Sequence, residues 1–399
     1  MLTSLALVFL VGLAAASICQ RLRLPRIIGM LVTGIVTGPY VLDLLDDSIL
    51  GISSDLRQMA LVIILIKAGL SLNIEDLKKV GRPAVMMSFL PAIFEIIAFI
   101  LFAPFVLGVN YIEAAVIGAV LGAVSPAVVV PRMVGLMEEG YGTDKGIPQM
   151  ILAGASLDDV FVIVLFSTFV GMAQGNGAGI MDFVNIPVSI VSGVLLGAVV
   201  GVILAWFFEA CCSRGRLIRN SMKVIIVLGV SFLLIAVEDM LEGVMSVSGL
   251  LAVMSMSLVL ARRSVQSVTK RLQEKFGKLW LAAEVILFVM VGAAVDIRYT
   301  LGAGVGAALM IAVGLLFRSA GVWLCMLGTK LNRRERLYCV IAYLPKATVQ
   351  AAIGSVPLSL GLPCGNIVLS VAVLSILITA PLGAIGMDLT YKRLLTREE

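Results

Sequence analysis

Histidine is absent from the 399 residues, and charged side chains make up only 14% of them. Histidine is the one side chain whose unperturbed titration falls near neutral pH, so proton handling by this chain falls to carboxylates or lysines. The scarcity of charge excludes an ordinary soluble domain, in which about a quarter of residues are charged. Six cysteines include no CxxC pair, which excludes the usual spacing of a zinc site and gives no disulfide framework. The adjacent Cys211 and Cys212 read as inert thiols, with palmitoylation as the alternative. No nucleophile–base pair or metal cluster suggests an enzyme, no cofactor is expected, and nucleic acid is not an expected partner.

What the chain has is apolar surface. Sixty per cent of its residues are hydrophobic and its mean hydropathy is +1.09. Apolar runs long enough to cross a bilayer recur from end to end, so an all-α polytopic membrane protein is expected. Thirteen segments are expected, at 2–19, 26–43, 56–73, 83–108, 112–136, 147–173, 186–208, 219–238, 243–261, 279–295, 302–327, 337–360 and 365–388. The first is read as a retained helix, because Arg21, Arg23 and Arg26 follow its apolar run where a signal peptide has its charges in front.

The connections alternate in charge. One side carries Arg21/Arg23/Arg26, Lys78/Lys79/Arg82, Arg132/Lys145, Arg214/Arg216/Arg219/Lys223, the cations of "RRSVQSVTKRLQEKFGK" and "KLNRRER", and those of the tail. That side holds 25 of the 30 Lys and Arg, and the opposite loops hold only Arg57 and Arg298. The positive-inside rule puts the rich side in the cytoplasm, giving an external N-terminus, a cytoplasmic C-terminus and an odd number of crossings. The expected location is the plasma membrane, a bacterial inner membrane.

The chain also repeats. "ALVIILIKAGLSLNI" (60–74) aligns with "AEVILFVMVGAAVDI" (283–297) at an offset of 223, and "GMLVTGIVTG" (29–38) resembles "GLLAVMSMSL" (249–258) at 220. Glu95 lies 223 residues before Arg318, and Pro126 lies 219 before Pro345. Seven segments separate equivalents, so the two copies run in opposite directions. Two inverted six-helix repeats, 1–173 and 219–388, are expected on either side of a linking helix at 186–208, with a short cytoplasmic tail at 389–399. Many secondary transporters have this layout.

Segment five, "AVIGAVLGAVSPAVVVPRM", carries Pro126 near its middle, and segment twelve, "CVIAYLPKATVQAAIGSVPL", carries Pro345 at the same depth. A proline inside a helix removes a backbone hydrogen bond and clashes with the preceding turn, at about 3 kcal/mol. Two in repeat-equivalent segments point to a midplane site built from broken helices. There, backbone carbonyls freed near Val124 and Ser125 can coordinate a cation. Lys346, directly after the second break, can offset the negative C-terminal end of a half-helix or take part in proton transfer.

Of the other ionisable residues inside segments, Lys67 and Glu284 lie toward cytoplasmic ends and can snorkel. Glu95 and Arg318 lie near mid-segment in equivalent positions. Each costs about 3 kcal/mol at a helix centre, so an ion pair between them is expected, with direct substrate contact as the alternative. Arginine holds its proton at every relevant pH and is no proton carrier. Asp158 and Asp159, in "GASLDDVFVIVLF", sit at the centre of segment six. Successive helix residues diverge by about 100°, so the two cannot share one partner, and Ser156 lies on the face of Asp159. A carboxylate in a partly dry cavity can hold a proton or a small desolvated cation, but not both. Such competition is already an exchange mechanism.

"SLDDV", "AVSPAVVVP" and above all "LPKATVQAAIGS" resemble the monovalent cation:proton antiporter superfamily, most closely its NHA-type sodium/proton exchanger branch. The likeness covers nearly the whole chain. It implies a thirteen-helix antiporter fold in which segments 4–6 and 11–13 form a mobile core and the rest a homodimerisation scaffold in membrane lipid. It also implies that Asp159 is the main sodium ligand and Asp158 its partner. Arg318 stands where bacterial twin-aspartate antiporters have a lysine, a departure that counts against their electrogenic two-proton stoichiometry. Glu95 with Arg318 instead resembles the ion pair of electroneutral exchangers. The short tail leaves no room for the nucleotide-binding domain of glutathione-gated potassium efflux systems. The implied function is exchange of sodium or lithium for protons by alternating access. Potassium/proton exchange is the alternative; a cation channel or an organic-anion symporter stands further off.

Overall fold

Apolar runs this long fold as helices because a bilayer interior offers no partner for backbone N–H and C=O groups other than the helix's own. The computed structural model describes residues 1–22, 24–71, 81–175, 180–213, 218–241 and 247–397. Outside these lie the backbones of Arg23, Lys78, Lys79, Arg214 and Arg216, and the side chains of Ser156 and Arg298 are likewise not described.

The first helices are α1 (Leu2–Arg21), α2 (Arg26–Thr37), α3 (Asp47–Leu50), α4 (Ser53–Ser71), α5 (Arg82–Met87) and α6 (Leu90–Leu107). They are followed by α7 (Tyr111–Leu121), α8 (Pro126–Glu139), α9 (Ile147–Gln174), α10 (Ile180–Ser213), α11 (Asn220–Leu241) and α12 (Gly249–Arg263). The last are α13 (Gln266–Ala293), α14 (Ile297–Cys325), α15 (Arg333–Ala342), α16 (Thr348–Ile353), α17 (Val356–Ser359) and α18 (Gly365–Leu394). The fold is all-α. Among the described residues, the only pairing of extended backbone is one antiparallel bridge, Tyr141 with Arg397.

Each expected segment falls on helix, but several boundaries differ. Nine helical stretches among the described residues are long and apolar enough to cross a membrane, two of them formed by α5 with α6 and α7 with α8. The other four expected segments are shorter, more polar or interrupted. Segment two stops at Thr37, and segment four divides at Ser88–Phe89. Segment ten starts thirteen residues early, because the basic stretch "QSVTKRLQEKFGK", expected to be a loop, is the front of α13. Leu272 and Phe276, continued by Trp280 just beyond, recur at every fourth position and are buried, which makes the stretch an amphipathic helix with its cations on the other faces.

Two compact units emerge, one of Met1–Arg57, Asn73–Ala173 and Val285–Glu399, the other of Gln58–Leu72 and Gln174–Glu284. In the second, α10 packs along α12. Gly193, Gly197 and Gly201, one per turn, press directly on the backbone at Ser248, Ala252 and Met256, where any Cβ would overlap a carbonyl. Small residues at this spacing give helices in lipid the close van der Waals contact that a hydrophobic drive cannot supply. Lys67, in the same unit, stands 5.8 Å from the Trp280 ring centroid.

In the first unit, α6 and α14 pack along their lengths and carry Glu95 and Arg318, while α18 packs against α14 and α15. The front halves of segments five and twelve start identically. Asn110 caps α7 in a reciprocal box with Glu113, and Asn332 caps α15 in the same box with Glu335. These caps lie 222 residues apart (332 − 110), within the 219–223 range of the other repeat matches.

Candidate functional site

Both proline segments are broken, and the breaks meet. The helix α7 ends at Leu121 with Gly122 as its C-cap, residues 123–125 follow outside any helix, and Pro126 takes the first position of α8. At that position the missing N–H costs nothing. The break therefore lies ahead of the proline, which opens the second half-helix instead of kinking a continuous one, with Ser125 extended at ψ 110° as the pre-proline position prefers. In segment twelve, α15 ends at Ala342 and α16 begins at Thr348, so Pro345 and Lys346 both lie within the break. Ser125 N donates to the Pro345 carbonyl at 2.8 Å, joining the breaks backbone to backbone.

Arg318 and Lys346 reach this crossing from different elements, and both are fully buried. Arg318 uses four partners. Its Nε donates to the Tyr343 carbonyl at 2.7 Å, Nη1 to Glu95 at 3.0 Å and to the Gly122 carbonyl, and Nη2 to Asp158 at 3.0 Å. Lys346 Nζ lies 2.7 Å from the Glu95 carboxylate and also donates to the Leu121 carbonyl. The expected Glu95–Arg318 pair is present as part of a larger network in which Glu95 has two cations and Arg318 two acids. Lys346 acts on the expected kind of target, the C-terminal end of a half-helix, and that half-helix is α7. Carbonyls at such an end have no intrahelical donor and carry the negative end of the helix dipole.

The adjacent aspartates fare differently. Asp158 Oδ2 accepts from Arg318 and, at 2.8 Å, from Val124 N. Asp159 is buried as well, but no cation pairs with it among the described residues. The two acids thus have no common partner, in line with their divergence around α9. Asp158 Oδ1, Asp159 Oδ1 and Ser125 Oγ are buried without hydrogen-bond partners among the described residues. Ser156 lies three residues before Asp159 on the same helix, and its side chain lies outside the described set.

Two groups at the crossing were not singled out in the sequence. Gln350 accepts from Ala347 N at 2.7 Å and donates to the Ala123 carbonyl at 2.9 Å. Thr379 Oγ1, on α18, accepts from Lys346 N at 2.9 Å. The available signal was polarity: an amide in an apolar membrane segment needs partners, and Gln350 sits inside the distinctive "LPKATVQAAIGS" run.

A family model described as "Sodium/hydrogen exchanger, transmembrane" matches residues 5–390. Sodium/hydrogen exchanger 9B2 of Homo sapiens is 34% identical over 388 residues, covering 94% of this chain and 71% of its own length. Sodium/hydrogen exchanger 9B1 of Homo sapiens is 31% identical over 414 residues, covering 99% of this chain and 78% of its own. Among solved structures, the sodium proton antiporter MjNhaP1 from Methanocaldococcus jannaschii at pH 8 superposes with a TM-score of 0.83 at 21% identity, covering 98% of each chain. That likeness establishes a shared fold.

Proposed function

The chain belongs to the transmembrane sodium/hydrogen exchanger family, and from that premise we infer that it exchanges sodium for protons at the crossing of its two broken segments. It is a multi-pass membrane transporter and not an enzyme.

The observation that carries the site assignment is a charge count. Glu95, Asp158 and Asp159 face Arg318 and Lys346 in one buried cluster. With all five ionised, the cluster carries one surplus negative charge, and Asp159 is the acid without a cation. An isolated buried charge is expensive, so the surplus is neutralised by whatever monovalent positive species reaches it. Sodium or lithium can do so, and so can a proton, but the second to arrive would reverse the sign. Mutual exclusion at one site follows, and with it obligatory exchange of one ion for the other.

Asp159 is the main ligand in this reading. Asp158 is its positioned neighbour, and Ser125 Oγ, the Val124 carbonyl and Ser156 are the remaining oxygen donors. Such an all-oxygen set suits a hard cation. Glu95, Arg318 and Lys346 hold the breaks together. Alternating access is assigned to movement of segments 4–6 and 11–13, both sets falling within the first compact unit, against a scaffold that dimerises in the lipid. The inverted repeats at 1–173 and 219–388, the link at 186–208 and the thirteen crossings belong to the same reading. The matched caps of α7 and α15 support the repeat, and the alternating cations support an external N-terminus in a plasma membrane.

The test is sodium-driven proton flux in proteoliposomes containing a pH dye. Asp159→Asn, nearly isosteric and without the exchangeable charge, is expected to abolish flux while the protein remains folded by size-exclusion chromatography. Wild-type flux in that variant would remove Asp159 from the mechanism. Flux driven by potassium and not by sodium would redirect the assignment to potassium/proton exchange.

A further inference from the structure

We propose that Gln350 is a positioning residue for the exchange, whose carboxamide fixes the spacing of the two breaks and so aims the Val124–Ser125 oxygens at the cation. The inference rests on the site assignment above.

Six backbone groups of the break from Leu121 to Ser125 have identified partners. The Leu121 carbonyl accepts from Lys346, the Gly122 carbonyl from Arg318, and the Ala123 carbonyl from Gln350. Val124 N donates to Asp158, and Ser125 N to the Pro345 carbonyl. The Ser125 carbonyl accepts from Val128 and Val129 at the start of α8. Three successive carbonyls are thus each held by a side chain from elsewhere in the fold. Next along the chain come the Val124 carbonyl and the Ser125 hydroxyl, the oxygens that remain for an ion among the described residues. Gln350 stands at the boundary between the held carbonyls and these two.

Its own placement is equally constrained. Gln350 is fully buried in the first turn of α16, and its Oε1 accepts from Ala347 N, the N-cap residue of that helix. Ala347 has an extended φ of −163° with ψ −76°, so its N–H is off the helical path and needs this acceptor. One amide therefore ends the break of segment twelve with its oxygen and grips the break of segment five with its nitrogen. Among the described residues, it is the neutral one of the side chains crossing between the breaks. The charged groups around it are Lys346 in its own segment, Glu95 on α6, Asp158 and Asp159 on α9, and Arg318 on α14.

These roles need a donor and an acceptor on one planar group. Methionine matches glutamine in length and supplies neither. Ionised glutamate can take the Ala347 N–H, but it turns an acceptor toward the Ala123 carbonyl and adds a second surplus charge. Protonated glutamate regains the donor and restores both bonds. The substitutions thus predict different pH signatures, which a residue that merely fills space would not produce.

The experiment measures apparent KM for sodium and maximal flux in proteoliposomes at several pH values for wild type, Gln350→Met, Gln350→Glu and Asp159→Asn. Gln350→Met is expected to raise KM roughly tenfold relative to wild type at every pH, with maximal flux less affected. For Gln350→Glu the ratio of its KM to the wild-type KM should be large in alkali and fall toward one in acid. Taking the ratio at each pH removes the sodium–proton competition common to both proteins. If Gln350→Met fails to fold, the pH course of Gln350→Glu decides alone. Wild-type KM in both variants would overturn the proposal, as would a Gln350→Glu ratio that does not change with pH. Active Asp159→Asn would overturn the site assignment itself, whereas inactive Asp159→Asn with unaltered Gln350 variants would remove only the role of Gln350.

Discussion

Arg318→Gln should be the most destabilising single substitution at the crossing. The change removes four donated bonds, two of them to buried carboxylates. It also raises the surplus negative charge of the cluster from one to two. Removing one partner of a buried ion pair costs about 3–5 kcal/mol. The loss at the Tyr343 and Gly122 carbonyls adds about 1 kcal/mol each, and glutamine recovers part of that. A net loss of about 4–5 kcal/mol is therefore expected in alkali. Unfolding entropy of about 2.1 cal/mol/K per residue across 399 residues converts this into a drop of roughly 5 °C in Tm. The drop should shrink in acid, because a proton taken up by one carboxylate removes the added charge. Glu95→Gln placed on top returns the surplus to one and should recover about half the loss. The assay is thermal unfolding of detergent-solubilised protein at one fixed scan rate, since membrane proteins rarely unfold reversibly. A melting temperature equal to wild type at both extremes of pH would refute the network. Strictly additive losses in the double variant would show that Glu95 and Arg318 do not meet.

Asp158→Asn balances the cluster at two acids and two cations, so it should raise the sodium KM strongly and slow exchange, with residual exchange resting on the charge that Asp159 keeps; proteoliposome flux reads both parameters. Sodium at a hundredfold excess over Kd should stabilise the wild type by about 2.7 kcal/mol. That protection should be present in alkali, lost in acid and absent from Asp159→Asn, all measurable in the same melting assay. Asn110→Ala and Asn332→Ala each break a capping box and should cost about 1 kcal/mol, seen as similar small shifts in Tm if the two caps are equivalent. Arg132→Ala, at the partly exposed Arg132–Asp388 pair, should lower stability by no more than about 1 kcal/mol and leave flux intact.

Helix content, the two breaks and the buried acids were legible because each rests on a local rule. Long apolar runs must be helical in lipid, a proline cannot continue a helix, and a charge at mid-depth needs a reason to be there. Partners were legible only where one pair was considered at a time. Glu95 with Arg318 follows from repeat symmetry, but the second acid on Arg318 and the second cation on Glu95 depend on which elements converge at the crossing. No sequence spacing encodes that convergence: Arg318 and Asp158 are 160 residues apart, Lys346 and Glu95 251. The amphipathic front of α13 was misread for a different reason. Its cations dominate the composition, while its fold is decided by three apolar residues on one face.

The two cations at the crossing serve the backbone as well as the acids, and this links the fold to its chemistry. A helix broken in the membrane leaves carbonyls that lipid cannot satisfy, so the break in segment five persists only if other groups supply donors. Lys346 and Arg318 do this at Leu121 and Gly122. Two buried cations then need counter-charges, which Glu95 and Asp158 provide. Up to this point the cluster is balanced, and its charges are explained by the need to break a helix. Asp159 is the one member that this balance does not require. A third carboxylate beside a balanced set raises the cost of the fold unless a mobile cation or proton accompanies it. On the proposed reading, this residue, without a cation partner among the described residues, carries the exchange.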